Sequence, residues 1–81
     1  MKLTFTKKAR KNYLSLPPKI QTTADKQLNL LTNDLRHPSL RAKKYDEKQD
    51  IWQGRITGSW RFYFLIESDE YVILSIIKHP K

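Results

Sequence analysis

Two arginines, Arg55 and Arg61, interrupt WQGRITGSWRFYF (52–64), a run whose tryptophans, phenylalanines and isoleucine belong in a core. A guanidinium presents a planar fork of N–H donors that matches a pair of phosphate oxygens, so two brought together could hold a phosphate and neutralise its charge. Groups able to move protons near neutral pH are few: the chain has two histidines, His37 and His79, and imidazole is the side chain that ordinarily titrates there. There is no cysteine, which excludes thiol nucleophiles, disulfides and cysteine-rich zinc sites. Two histidines without cysteine argue against a metal site. No glycine-rich phosphate loop or serine triad is present, and no cofactor is expected.

The charge balance points the same way. Sixteen Lys and Arg against eight Asp and Glu leave a formal +8 on 81 residues, a density suited to a polyanion, of which nucleic acid is the commonest. Small soluble domains also carry net charge, so charge alone leaves both readings open. The basic N-terminus MKLTFTKKARK lacks the apolar core of a signal peptide. No run reaches the ~20 apolar residues of a membrane span. The expectation is one soluble cytoplasmic domain over 1–81, with no membrane partner.

The elements that must position these arginines follow from periodicity. KLTFT (2–6) alternates as a short strand, and Thr6 can cap the next element. Ala9, Tyr13 and Leu16 make one helical stripe, which Pro17 and Pro18 end while suiting the first turn of another helix. Ile20, Ala24, Leu28, Leu31 and Leu35 give that second helix its apolar face, packed on the first as an antiparallel hairpin. RHPSLRAKKYDEKQD (36–50) has no usable period and reads as a loop, and His37, before Pro38, reads as structural. Three strands follow, IWQGRIT, WRFYFLI and YVILSIIK. The fold class is α+β, ordered β-α-α-β-β-β, with the helical hairpin on one face of a mainly antiparallel sheet.

Register decides where the arginines go. A three-residue loop (57–59) pairs Ile56 with Trp60, Gly54 with Phe62 and Trp52 with Phe64, and puts all of these on the core face. Trp52, Trp60 and Phe64 then fill the core and are not base-stacking platforms. Arg55 falls opposite Arg61 on the other face, an arrangement that is destabilising by itself. A phosphate between them relieves it; the alternatives are splaying into solvent or pairing with Asp46, Glu47 or Asp50. With Ser68-Asp69 as the next turn, Val72, Leu74 and Ile76 join Tyr63 and Leu65 on the arginine face. The helices cannot also cover this apolar surface, which calls for a protein partner; self-association and an overlying loop 36–50 are the alternatives.

The order of these pieces resembles the RelE/ParE superfamily of bacterial toxins: a helical hairpin after a first strand, then HPSLRAKK, IWQGRI, SWRFYFLIESDEYVILSI and a basic KHPK. The resemblance runs along essentially the whole chain. It implies the toxin of a type II toxin–antitoxin pair, bound by a cognate antitoxin. RelE-like members cut messenger RNA on the ribosome, whereas ParE-like members inhibit DNA gyrase. A relic acting only through antitoxin binding and promoter regulation is a third reading. Arg61 matches the strand arginine that holds the scissile phosphate in the nucleases, Arg55 a basic position on the preceding strand, and His79 the C-terminal basic and histidine cluster. Arg41, Lys43, Lys44, Lys78 and Lys81 are candidates for further nucleic-acid contacts. Tyr63, Leu65, Val72, Leu74 and Ile76 are the candidate antitoxin surface. No tyrosine follows the histidine through Lys81, where several active nucleases carry one. The resemblance also places no catalytic carboxylate. The implied reaction is metal-free RNA cleavage, with His79 moving a proton and the arginines stabilising the phosphorane.

Overall fold

A computed structural model describes residues 1–79. Strand β1 (Lys2–Phe5) leads into helix α1 (Lys7–Leu14), whose first turn is capped by Thr6: its hydroxyl oxygen accepts the Ala9 N–H at 3.1 Å. The same hydroxyl donates to the carbonyls of Ile73 and Leu74, tying the cap to the sheet. Helix α2 (Pro18–Asn33) starts with Pro18 inside its first turn and buries Ala24, Gln27, Leu28 and Leu31. The two helices are joined beyond packing, because the Tyr13 phenol donates to Asp25 at 2.5 Å and Gln21 donates to the Tyr13 carbonyl.

The expected loop 36–50 is more ordered than its sequence suggested. It holds a 3₁₀ turn (Pro38–Leu40) and strand β2 (Lys43–Asp46). His37 is structural: its Nδ1 accepts the Ser39 N–H at the start of that turn. Strands β3 (Ile51–Arg55), β4 (Trp60–Ile66) and β5 (Glu70–Lys78) complete one sheet, in the order β1-β5-β4-β3-β2. Among the described strands, only β1–β5 is a parallel pair. The α+β architecture with the hairpin on one face holds, with β2 as an additional edge strand.

The core lies between the helices and one sheet face, where Phe62, Phe64, Ile73, Leu31 and Leu40 are fully buried. Gly54 is part of this packing. A Cβ there would lie 2.6 and 2.8 Å from the two Cε atoms of the Phe62 ring, so the ring occupies the space a side chain would need. No described helix is long and apolar enough to cross a membrane.

Candidate nucleic-acid interface

The β3–β4 register is the one that a three-residue loop dictates: Trp52 pairs with Phe64, Gly54 with Phe62 and Arg55 with Arg61. The Ile56 and Thr57 N–H groups both donate to the Trp60 carbonyl, closing the loop. The two guanidiniums therefore start from directly opposed positions on the face away from the helices, both half-buried. Two of the carboxylates that could have relieved them are occupied elsewhere, and none among the described residues pairs with either arginine. Asp50 pairs with Lys44, and Asp46 accepts the Lys48 and Gln49 N–H groups within its own turn.

Relief comes instead from the backbone. Arg61 Nη1 donates to the Thr57 carbonyl and, at 3.0 Å, to the Trp60 carbonyl, so carbonyl dipoles hold the charge against its own turn. Its Nε and Nη2 have no protein partner among the described residues, and remain free to bind an anion as a two-pronged donor. His79 reaches the same end of the sheet. Its N–H donates to the Ser59 carbonyl at 2.6 Å, anchoring the residue after β5 to the 57–59 loop. The backbones of Arg55, Arg61 and His79 are thus gathered at one sheet end, where His79 is exposed.

The other basic candidates are dispersed. Lys44 is turned to the helix side, pairing with Asp50 while its Nζ lies 5.1 Å from the Trp52 ring centroid. Lys43 pairs with Gln53 and shares the arginine face. Lys78 pairs with Trp60, on the opposite face from Arg61, and is exposed. Arg41 is exposed in a left-handed conformation (φ 45°) that ends the 3₁₀ turn. Lys81 lies outside the described residues.

One assignment on the apolar part of this face is corrected. Ile76 pairs with Phe62 and is buried in the core, because a register shift between Tyr63 and Phe64 sets Ser75 rather than Leu74 opposite Tyr63. Beyond that bulge the alternation inverts, so Ile77 takes the outer position and is 38 % exposed. Val72, Leu74 and Leu65 are half-buried on the outer face, as the alternation required. Tyr63 is buried there beneath Tyr45, whose ring centroid lies 4.8 Å away. Burial pushes the Tyr63 phenol above its ordinary range, against a smaller opposing effect of the nearby Arg61 charge. Tyr45, Ile51, Tyr63, Leu74, Ser75 and Ile77 line an apolar hollow of about 230 Å³ beside the arginines.

No protein-family model matches the sequence, and no curated protein matches it. Solved structures do match, over nearly the whole chain. The YoeB/ParE toxin from Agrobacterium tumefaciens is similar at a TM-score of 0.82 and 14% identity, with 99% of this chain and 100% of that one covered. The toxin–antitoxin complex RelBE2 from Mycobacterium tuberculosis matches at 0.70 and 25%, covering 98% and 96%. The archaeal RelE–RelB complex from Pyrococcus horikoshii OT3 matches at 0.81 and 15%, covering 99% and 96%. The fold is that of the RelE/ParE toxins.

On this RelE/ParE fold, the sequence reading missed Tyr45, Ile51 and Ile77. Ile76 and Ile77 were a usable signal, since two successive apolar residues in a half-covered strand cannot both face the core. The alternation of Lys43 and Tyr45 against Lys44 and Asp46 was too short and too charged to mark β2.

Proposed function

We propose that this chain is the toxin of a type II toxin–antitoxin pair, acting in the cytoplasm as a RelE-type endoribonuclease that cuts messenger RNA on the ribosome. The observation that carries the reading is the Arg55–Arg61 pair, directly opposed across β3 and β4 and free of any carboxylate partner among the described residues. Such a pair is unfavourable in the free protein and gains when a phosphate enters between the guanidiniums. In the proposed reaction a base takes the ribose 2′-hydroxyl proton as the 2′-oxygen attacks phosphorus. Arg61 and Arg55 bear the charge that builds on the phosphorane, and an acid protonates the departing 5′-oxygen. His79 is the residue we assign to proton transfer.

The partner half of the proposal rests on the apolar outer face, where Tyr45 and Ile77 stay exposed beside an apolar hollow. It draws support from related folds solved as toxin–antitoxin complexes, among them RelBE2 and RelE–RelB. The test is induction of the protein without its antitoxin. Translation is expected to stop before DNA replication, with cleaved messages. The Arg61→Ala protein is expected to remain folded, with about 100-fold or greater loss of cleavage. Arrest of replication first, or full toxicity of Arg61→Ala, would overturn the nuclease reading in favour of gyrase inhibition.

A further inference from the structure

A second cationic site lies around the end of β3 from the arginine pair, on the helix side. Thr23 and Lys26 of α2, Ser39 and Arg41 of the 3₁₀ turn, and Arg55 and Thr57 at the β3 end line a hollow of about 490 Å³. Three of these residues are cationic and three carry hydroxyls, and no carboxylate lines it.

The walls are held by a buried side chain. Gln27, 5 % exposed, donates through Nε2 to the carbonyls of Ser39 and Arg55 at 3.2 and 3.0 Å. One amide therefore fixes α2, the 3₁₀ turn and the end of β3 to each other. Arg41 is set at the rim by its left-handed backbone, where its N–H closes the turn on the Pro38 carbonyl.

The positive residues also form a track. Arg55 links the two sites: its carbonyl faces the hollow, where Gln27 donates to it. Its side chain starts from the outer face and reaches the 57–59 loop, with Nη2 3.8 Å from where a Gly58 side chain would begin. Arg41 is common to this hollow and to a neighbouring one of about 210 Å³ that Arg36 and Trp52 also line, again with no carboxylate. A small anion needs one such site, whereas cationic residues spread over two hollows that share Arg41 suit a chain of phosphates. We infer that the Lys26–Arg41–Arg55 hollow holds a backbone phosphate of single-stranded RNA, outside the one between Arg55 and Arg61. The inference rests on the proposed RNA target and specifies how the strand continues past it, around the end of β3 and towards Arg36.

The test is the affinity of the purified full chain for a fluorescently labelled hexauridylate, measured by anisotropy over a range of KCl concentrations. Lys26→Gln/Arg41→Gln is compared with Lys7→Gln/Lys8→Gln, which removes the same charge from α1. Circular dichroism melts establish that both variants are folded. The expected result is a salt slope smaller by roughly 0.7–1.4 in the first variant, one to two phosphate contacts, with the α1 variant close to wild type. Equal losses in the two variants, or none in the first, would overturn the hollow as a phosphate site while leaving the RNA target standing. A wild-type chain that does not bind the oligonucleotide would overturn the hollow as a phosphate site of the chain by itself, and the RNA target is overturned separately, by the induction experiment.

Discussion

Arg61 shows how a side chain that looks misplaced in a sequence becomes tolerable in the fold. Opposed guanidiniums across a ladder cost a few tenths to about 1 kcal/mol, and the expected remedy was a bound phosphate, with solvent or a loop carboxylate as the alternatives. The chain uses carbonyls of its own 57–59 loop instead, which orients Nη1 and leaves other donors available. A sequence cannot show this, because every residue has a carbonyl and only the loop geometry selects Thr57 and Trp60. Tyr63, next on β4, carries a pH consequence. Its burial raises the phenol above the ordinary value of 10.0, so the folded state keeps its proton more tightly than the unfolded chain does. The associated stability is complete below about pH 10 and falls as pH rises through the higher folded-state value. Urea midpoints measured from pH 8 to 11 should therefore drop at the alkaline end, and Tyr63→Phe should make that drop shallower. An unchanged profile in Tyr63→Phe would mean the phenol is not desolvated.

At the scale of elements, the β3–β4 hairpin was legible because its core face is strongly specified: a shift of one residue would have exposed Trp52, Phe62 and Phe64 together. Its two glycines do different jobs. Gly54 lies under the Phe62 ring, whereas Gly58 has an ordinary negative φ and open surroundings. Gly54→Ala should cost about 1–3 kcal/mol through overpacking, at roughly 4–8 °C of melting temperature per kcal/mol. Gly58→Ala should melt within a few degrees of wild type, roughly a surface substitution. Equal melting temperatures for the two variants would contradict the packing of Phe62 on Gly54. Strand β5 was legible in extent but not in phase beyond its middle. The bulge at Tyr63/Phe64 inserts one residue and exchanges the faces of Ile76 and Ile77. Just past the bulge, which itself sharpens the local twist, the Asn12 side chain of α1 accepts the Ile76 N–H.

For the whole molecule, the helices and sheet close one core and leave the second sheet face with a cationic end and an apolar middle. Tyr45 is 61 % exposed there and Ile77 38 %, both large for residues of their type. A surface of this kind is stable when a partner covers it. Backbone amides of β5 and of edge strand β2 should therefore exchange hydrogen more slowly once the antitoxin of the proposed pair is added. Protection confined to the α1–α2 side would place the partner on the wrong face and remove the apolar surface from the account.

The sequence alone settled the α+β class, the helical hairpin and its prolines, the Arg55–Arg61 register and the split between aromatic and arginine faces. All of these depend on local periodicity and on burial of large side chains, which are encoded residue by residue. Tertiary structure alone decided what lies between distant segments. The 36–50 segment becomes an edge strand because β3 offers it a ladder, and Lys44 is taken by Asp50 and Trp52. Ile76 enters the core because a bulge changes its phase. Gln27, a polar residue on the apolar side of α2, is buried because two carbonyls from other elements meet it there. In each case the deciding partner is remote in the chain, and a pattern read along one strand or helix carries no record of it.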